Sequence, residues 1–158
     1  MIADDADRAY VIGLSLLARR ELAEAQLRTR LARRHFDDDA IDAAIARLRA
    51  DRSLDDRRTA LACARTEVRL RQRGRARVVC RIEALGIARD LAREAVAEVF
   101  GEVDEAALLE QALEKRLRHG LTLADPAAAR RVYRYLVGQG FDAGSVGNLL
   151  RRRARGNL

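Results

Sequence analysis

Apolar residues recur at helical spacing in three similar stretches of the chain. They are LRTRLARRHFDDDAIDAAI from Leu27, VVCRIEALGIARDLAREAV from Val78 and VYRYLVGQGFDAGSVGNLL from Val132. Laid over one another without gaps, at offsets of 51 and 54 residues, they agree at five apolar positions. Leu27, Val78 and Val132 coincide, as do Leu31, Ile82 and Leu136, then Phe36, Ile87 and Phe141. Ile41, Ala92 and Val146 follow, and Ile45, Val96 and Leu150 close the pattern. The first two positions are four residues apart, on one face of a helix. A break follows. Gly86 and Gly140 stand just before the third apolar residue, where a helix end favours a left-handed residue, and His35 holds that place in the first stretch. Asp37 and Asp142 read as N-caps of the next helix. Ala88 replaces the cap in the second stretch, so that helix start is expected to fray more. Phe36, Ile87 and Phe141 are expected to pin each pair of helices as a hydrophobic staple does.

A further helix precedes each pair. The first spans roughly Asp5 to Arg20, with Tyr10, Leu14 and Leu17 on one face. The second starts at a capping Asp55, with Leu61 and Val68 along one side. The third spans roughly Asp104 to His119 and carries Leu109, Leu113 and Leu117. In LADPAAARRV, Asp125 reads as N-cap and Pro126 as first helical residue. The pattern predicts an all-α chain of three tandem three-helix, helix-turn-helix-like modules at 1–54, 55–103 and 104–158, the last with a basic C-terminal tail. A unit of about 50 residues is marginal alone. Neighbours are therefore expected to pack end to end in an elongated, curved array.

Composition agrees with helix: one proline, no tryptophan, and a core drawn from Leu, Ala, Val and Ile. Charge adds a second theme. The net charge is +7, and of 31 basic residues only Lys115 is lysine. The surplus reads either as a surface for a polyanion or acidic protein or as a coding bias toward arginine. It is uneven: the first module is neutral, the second carries +3 and the third +4. The densest stretch, RLRQRGRAR at Arg69–Arg77, alternates like a strand. Leu70, Gln72, Gly74 and Ala76 make no apolar face, however, so it is read as a helix end, a break at Gly74 and a helix start. Six arginines and no acid lie between Glu67 and Glu83, a like-charge cluster expected to need a partner. Basic doublets at Arg33–Arg34, Arg57–Arg58 and Arg130–Arg131 and the tail RRRAR from Arg151 complete the candidates.

Catalytic chemistry finds little support. Ser15, Ser53 and Ser145 are the only serines, and His35 and His119 sit at helix ends, where they complement the dipole. Asp37–Asp39 lack the glycine and distal glutamate of a calcium loop and read as a cap with first-turn acids. There is no phosphate-binding glycine loop. No enzyme, metal or cofactor is expected. Cys63 and Cys80 are expected to be free, buried thiols in a reducing compartment. The polar start MIADDADRAY is unlike a signal peptide, and no apolar run is long enough to span a bilayer. A cytoplasmic protein is expected.

The pattern LxxxLxxxxFDxxxI at Leu27–Ile41, echoed at Val132–Val146, resembles the RecX family of regulators. So does SLDDRRTALACAR, where Leu54, Asp55, Asp56, Arg58 and Ala60 hold the family's L-D-D-x-R-x-A places. RQRGRARVVCRIEALGI fits the family's Arg-Gly junction before its R-x-x-L-G-I-like helix. Thr59 stands where the family often has an aromatic, Ala76 where it often has proline or glycine, and the third module lacks tryptophan. The resemblance covers nearly the whole chain. It implies three tandem three-helix modules that act on the RecA recombinase filament on single-stranded DNA; a monomer is expected. Such a protein lodges in the filament groove and damps ATP hydrolysis, strand exchange and repressor co-cleavage. The residues expected to meet DNA phosphate or RecA acids are Arg69, Arg71, Arg73, Arg75, Arg77, Arg130, Arg131, Arg151, Arg152 and Arg153. The alternative is a helix-turn-helix-like regulator that binds DNA directly.

Overall fold

The structure, a computed structural model, describes residues 2–156. Met1, Asn157 and Leu158, at the outer ends of the first and third predicted modules, lie outside the described residues. Nine helices and no strand occur among the described residues. They are α1 (Ile2–Arg19), α2 (Glu24–Ala32), α3 (Asp38–Ala50), α4 (Asp56–Arg71), α5 (Arg75–Glu83), α6 (Arg89–Phe100), α7 (Glu105–Leu117), α8 (Pro126–Gly138) and α9 (Ala143–Gly156). They pack chiefly in consecutive threes, α1 to α3, α4 to α6 and α7 to α9. The accessible surface of 9806 Å² exceeds the value of about 7,900 Å² for a compact monomer of 17.6 kDa. That excess is what a tandem array leaves exposed.

The repeated apolar positions build the cores. Leu27, Leu31, Val78, Ile82, Val132 and Leu136 are fully buried. Ile87 and Phe141 are buried too, whereas Phe36 is only partly buried and has the Arg8 guanidinium over its ring at 5.7 Å. In the third module the last repeated place is taken by Leu149, with Leu150 partly exposed, because α9 follows Val146 with a three-residue step. The face of α1 also differs from the predicted one. Ala9, Gly13 and Leu16 are buried, while Tyr10, Leu14 and Leu17 flank them. Small residues admit close approach: a Cβ on Gly13 would lie 2.7 Å from Leu48 Cδ1.

The helix ends follow side-chain chemistry. Asp37 Oδ1 accepts from Ala40 N at 2.7 Å, Asp55 Oδ1 from Arg58 N at 3.0 Å and Asp104 Oδ1 from Ala107 N at 3.0 Å. Asp125 caps α8 above Pro126, and Asp142 Oδ2 accepts from Ser145 N at 2.8 Å. Ala88 starts α6 with no side-chain cap. His35, Gly86 and Gly140 all have left-handed backbones, with φ of 65°, 86° and 95°. The break after α4 is different from expectation: Gln72, at φ 48°, is the left-handed residue, and Gly74 starts α5 with a negative φ. Glycine is needed at 74 because a Cβ there would overlap the Gly140 backbone.

The second and third modules share one apolar core, which Ala23 of the first also enters, and the rest of the first module's apolar residues form their own. Both junctions use one construction. At the first, the start of α2 meets the turn between α5 and α6: a Cβ on Gly86 would overlap Ala25. Glu24 N–H donates to Asp56 Oδ1 at 2.8 Å. At the second, the start of α5 meets the turn between α8 and α9. Gly74 N–H donates to Gln139 O at 2.9 Å and Ala76 N–H to Gly140 O at 3.3 Å, and Arg75 pairs with Glu105. Two departures from the family pattern acquire reasons here. Thr59 is buried, with its hydroxyl in hydrogen-bond reach of the Glu21 carboxylate and the Leu22 and Asp55 carbonyls, a role no phenyl ring fills. Ala76 donates the N–H that proline would lack.

Candidate nucleic-acid and protein interface

The arginines predicted as a site fall into three groups by location. The α4–α5 junction holds Arg69 to Arg77, α8 holds Arg130 and Arg131, and α9 holds Arg151 to Arg153. The junction cluster is not uncompensated. Glu67, 3% exposed, lies beneath it. Its carboxylate accepts from Arg73 Nη1 and lies 3.5 Å from Arg71 Nε and 3.9 Å from Arg81 Nε. Arg73, whose side chain is 17% exposed, is thereby a structural cation. Glu67 stands in α4, just outside the acid-free run, and helical spacing points it back toward Arg71. Arg75 donates to Glu105 Oε1 at 2.8 and 2.6 Å and lies 4.9 Å from the Phe100 ring centroid. The hydrogen bond to Glu105 raises its pKa further. Arg69 and Arg77 are exposed and enter no ion pair among the described residues. Leu70, between two of these arginines, is 71% exposed.

On α9, Arg153 is held by Glu114 at 2.6 Å and lies 3.7 Å from Glu110. Among the described residues Arg151 bonds only Asn148, at 2.6 Å, and Arg152 is exposed. A groove of about 570 Å³ runs between the starts of α7 and α9, lined by Glu105, Leu109, Phe141, Asn148, Arg151 and Arg152. Glu105 carries Arg75 to its edge, so the fold gathers Arg75, Arg151 and Arg152 around one groove. Arg130 and Arg131 lie apart from it on the solvent face of α8. With them stand Arg134 and Tyr133, the latter 37% exposed; sequence reading did not single out either. The signal was present: α8 contains three arginines, two tyrosines and no acid.

The two thiols are less buried than expected. Cys63 is half-buried, and burial beside Glu67 pushes its pKa up, whereas Cys80 is exposed on α5. No group of His, Cys, Asp and Glu among the described residues is arranged to hold a metal ion. Among the described residues no helix is long and apolar enough to cross a membrane.

Comparison with known proteins places the chain. A family model described as "RecX, first three-helix domain" matches residues 9–48. Regulatory protein RecX of Syntrophotalea carbinolica is 34% identical over 84% of this chain and 88% of its own length. Regulatory protein RecX of Thermus thermophilus is 38% identical over 86% of this chain and 85% of its own. The chain belongs to the RecX family. RecX from Lactobacillus salivarius superposes with a TM-score of 0.81 over 95% of this chain and 97% of its own, at 18% identity. The tandem three-helix architecture is therefore the RecX fold, and the RecX family is one of regulatory proteins.

Proposed function

We propose that this chain regulates the RecA recombinase by binding its filament on single-stranded DNA, damping ATP hydrolysis, strand exchange and co-protease activity. It acts as a cytoplasmic monomer in recombination and the SOS response. Membership of the RecX family carries the reading. The arrangement of charge supports it: six of the ten predicted arginines, Arg69, Arg77, Arg130, Arg131, Arg151 and Arg152, have no acidic partner among the described residues. Those six are assigned to DNA phosphate or RecA acids. Arg71, Arg73, Arg75 and Arg153 spend part of their charge on Glu67, Glu105 and Glu114 and hold the surface in place. Binding one filament conformation better than another shifts the filament toward the inactive one.

The test is the DNA-dependent ATPase of the host RecA with this protein added substoichiometrically. Strong inhibition supports the proposal. An unchanged ATPase, together with sequence-selective binding to bare duplex, would move the assignment to a direct DNA-binding regulator.

A further inference from the structure

The repeat register places a third copy of the junction position on α8. Ala25 and Ala76 each meet the left-handed turn of the following module, at Gly86 and Gly140. Their equivalent in the third module, at the same offsets, is Arg130. Glu24 and Arg75 meet the first residue of the helix that opens the following module, Asp56 and Glu105, and their equivalent is Ala129. This place on α8 is exposed among the described residues. It is not left as a vacant copy of the junction. Arg130 lies three residues before Tyr133 and four before Arg134, and Arg131 three before Arg134, so the exposed face of α8 carries three arginines with Tyr133 beside Arg130. None of the three arginines enters an ion pair among the described residues, while Arg153 on α9 does.

A second copy of the chain does not fit there. At the first junction the equivalent of Arg130 is Ala25, whose Cβ already fills the space beside Gly86, so a longer side chain there crowds the turn it would meet. At the other end of the array, His35 stands where Gly86 and Gly140 stand, and a Cβ at either glycine would overlap the module before it. We infer that the solvent face of α8, which carries the third module's junction position, is a docking face for a single strand of nucleic acid. The arginines take phosphates and Tyr133 stacks a base. The inference rests on the nucleic-acid part of the function proposed above and assigns it to one helix. An acidic protein would use the cations but has no need of an exposed tyrosine beside them.

Binding of a fluorescein-labelled oligothymidylate to the full chain, followed by anisotropy between about 50 and 200 mM salt, tests it. The triple variant R130S/R131S/R134S is expected to lose more than about tenfold in affinity and to flatten the log–log salt slope by about 2. Tyr133→Leu is expected to lose about tenfold with the slope kept. R33S/R34S, a basic doublet at the opposite end, is expected to bind as wild type does. Wild-type affinity and slope in the triple variant would overturn the inference. RecA ATPase on the same samples separates the two readings. A wild-type protein that inhibits RecA but binds no oligonucleotide sinks the α8 assignment alone. One that binds through α8 and leaves the ATPase untouched supports it and sinks filament regulation.

Discussion

The arginines of this chain differ in what they do, and substitution should sort them. Arg73 neutralises a buried carboxylate. Arg73→Met leaves Glu67 with only the longer contacts to Arg71 and Arg81, and should cost about 3 kcal/mol in urea unfolding. Arg77→Glu, on an exposed side chain, should stay within about 0.5 kcal/mol of wild type. An equal effect of the two would contradict the buried ion cluster. The turn aromatics divide in the same way. Phe141→Ala empties a buried site and should cost about 3–5 kcal/mol. Phe36→Ala should cost nearer 1–2 kcal/mol, because its ring already meets solvent and Arg8. Sequence equivalence alone assigns both rings one role; burial separates them. The thiols give a chemical readout. Cys80 is exposed, and Cys63 is held as thiol by burial, so iodoacetamide should label Cys80 first by peptide mass.

At the level of elements, helix starts are the most legible feature of the sequence. Asp37, Asp55, Asp125 and Asp142 each accept from the backbone as their position predicts, and Asp104, read only as a helix start, does the same, because an N-cap is a local contact. What sequence does not show is long-range. The buried face of α1 runs through Ala9 and Gly13, small residues whose burial depends on how closely α3 approaches. Gly74 reads as a conformational break and is a close-approach residue, a fact that lives in Gly140, in another module. The pairing of Arg75 with Glu105 is hidden for the same reason. The one uncapped start makes a prediction. Ala88 already has the extended backbone an N-cap uses, so Ala88→Asp should stabilise the second module by about 0.5–1 kcal/mol at neutral pH. Acid should remove that gain. Asp142 shows the sign: the backbone N–H of Ser145 holds its carboxyl below the usual range. Its contribution is present above the unfolded pKa and lost as pH falls through the folded one. Amide exchange at Gly144 to Val146 should accelerate below the ordinary carboxylate range, while the start of α6 in wild type should show no such step.

Over the whole molecule, three modules do not mean three equal units. The first has its own core, and the second and third share one. The repeat is legible as sequence, but this grouping is not, because it depends on which side chains meet across a junction. His35 and Gly140 offer a test that holds backbone conformation nearly constant. Both are left-handed, with φ of 65° and 95°. At Gly140 a Cβ would also overlap the Arg77 backbone and displace the N–H that Ala76 donates to the Gly140 carbonyl. No module among the described residues packs on the first module's turn in that way. His35→Ala should therefore cost under about 1 kcal/mol, the ordinary difference between residues at a left-handed position. Gly140→Ala should cost more than about 3 kcal/mol, combining backbone strain with a lost junction. The shape of the transition should change too. In wild type, hydrogen exchange should report α4 to α9 opening together and α1 to α3 opening separately. In Gly140→Ala, α7 to α9 should exchange faster than α4 to α6, with α1 to α3 unaffected. Uniform acceleration across all nine helices would mean that the chain unfolds as one cooperative unit and that the shared core does not set its boundaries.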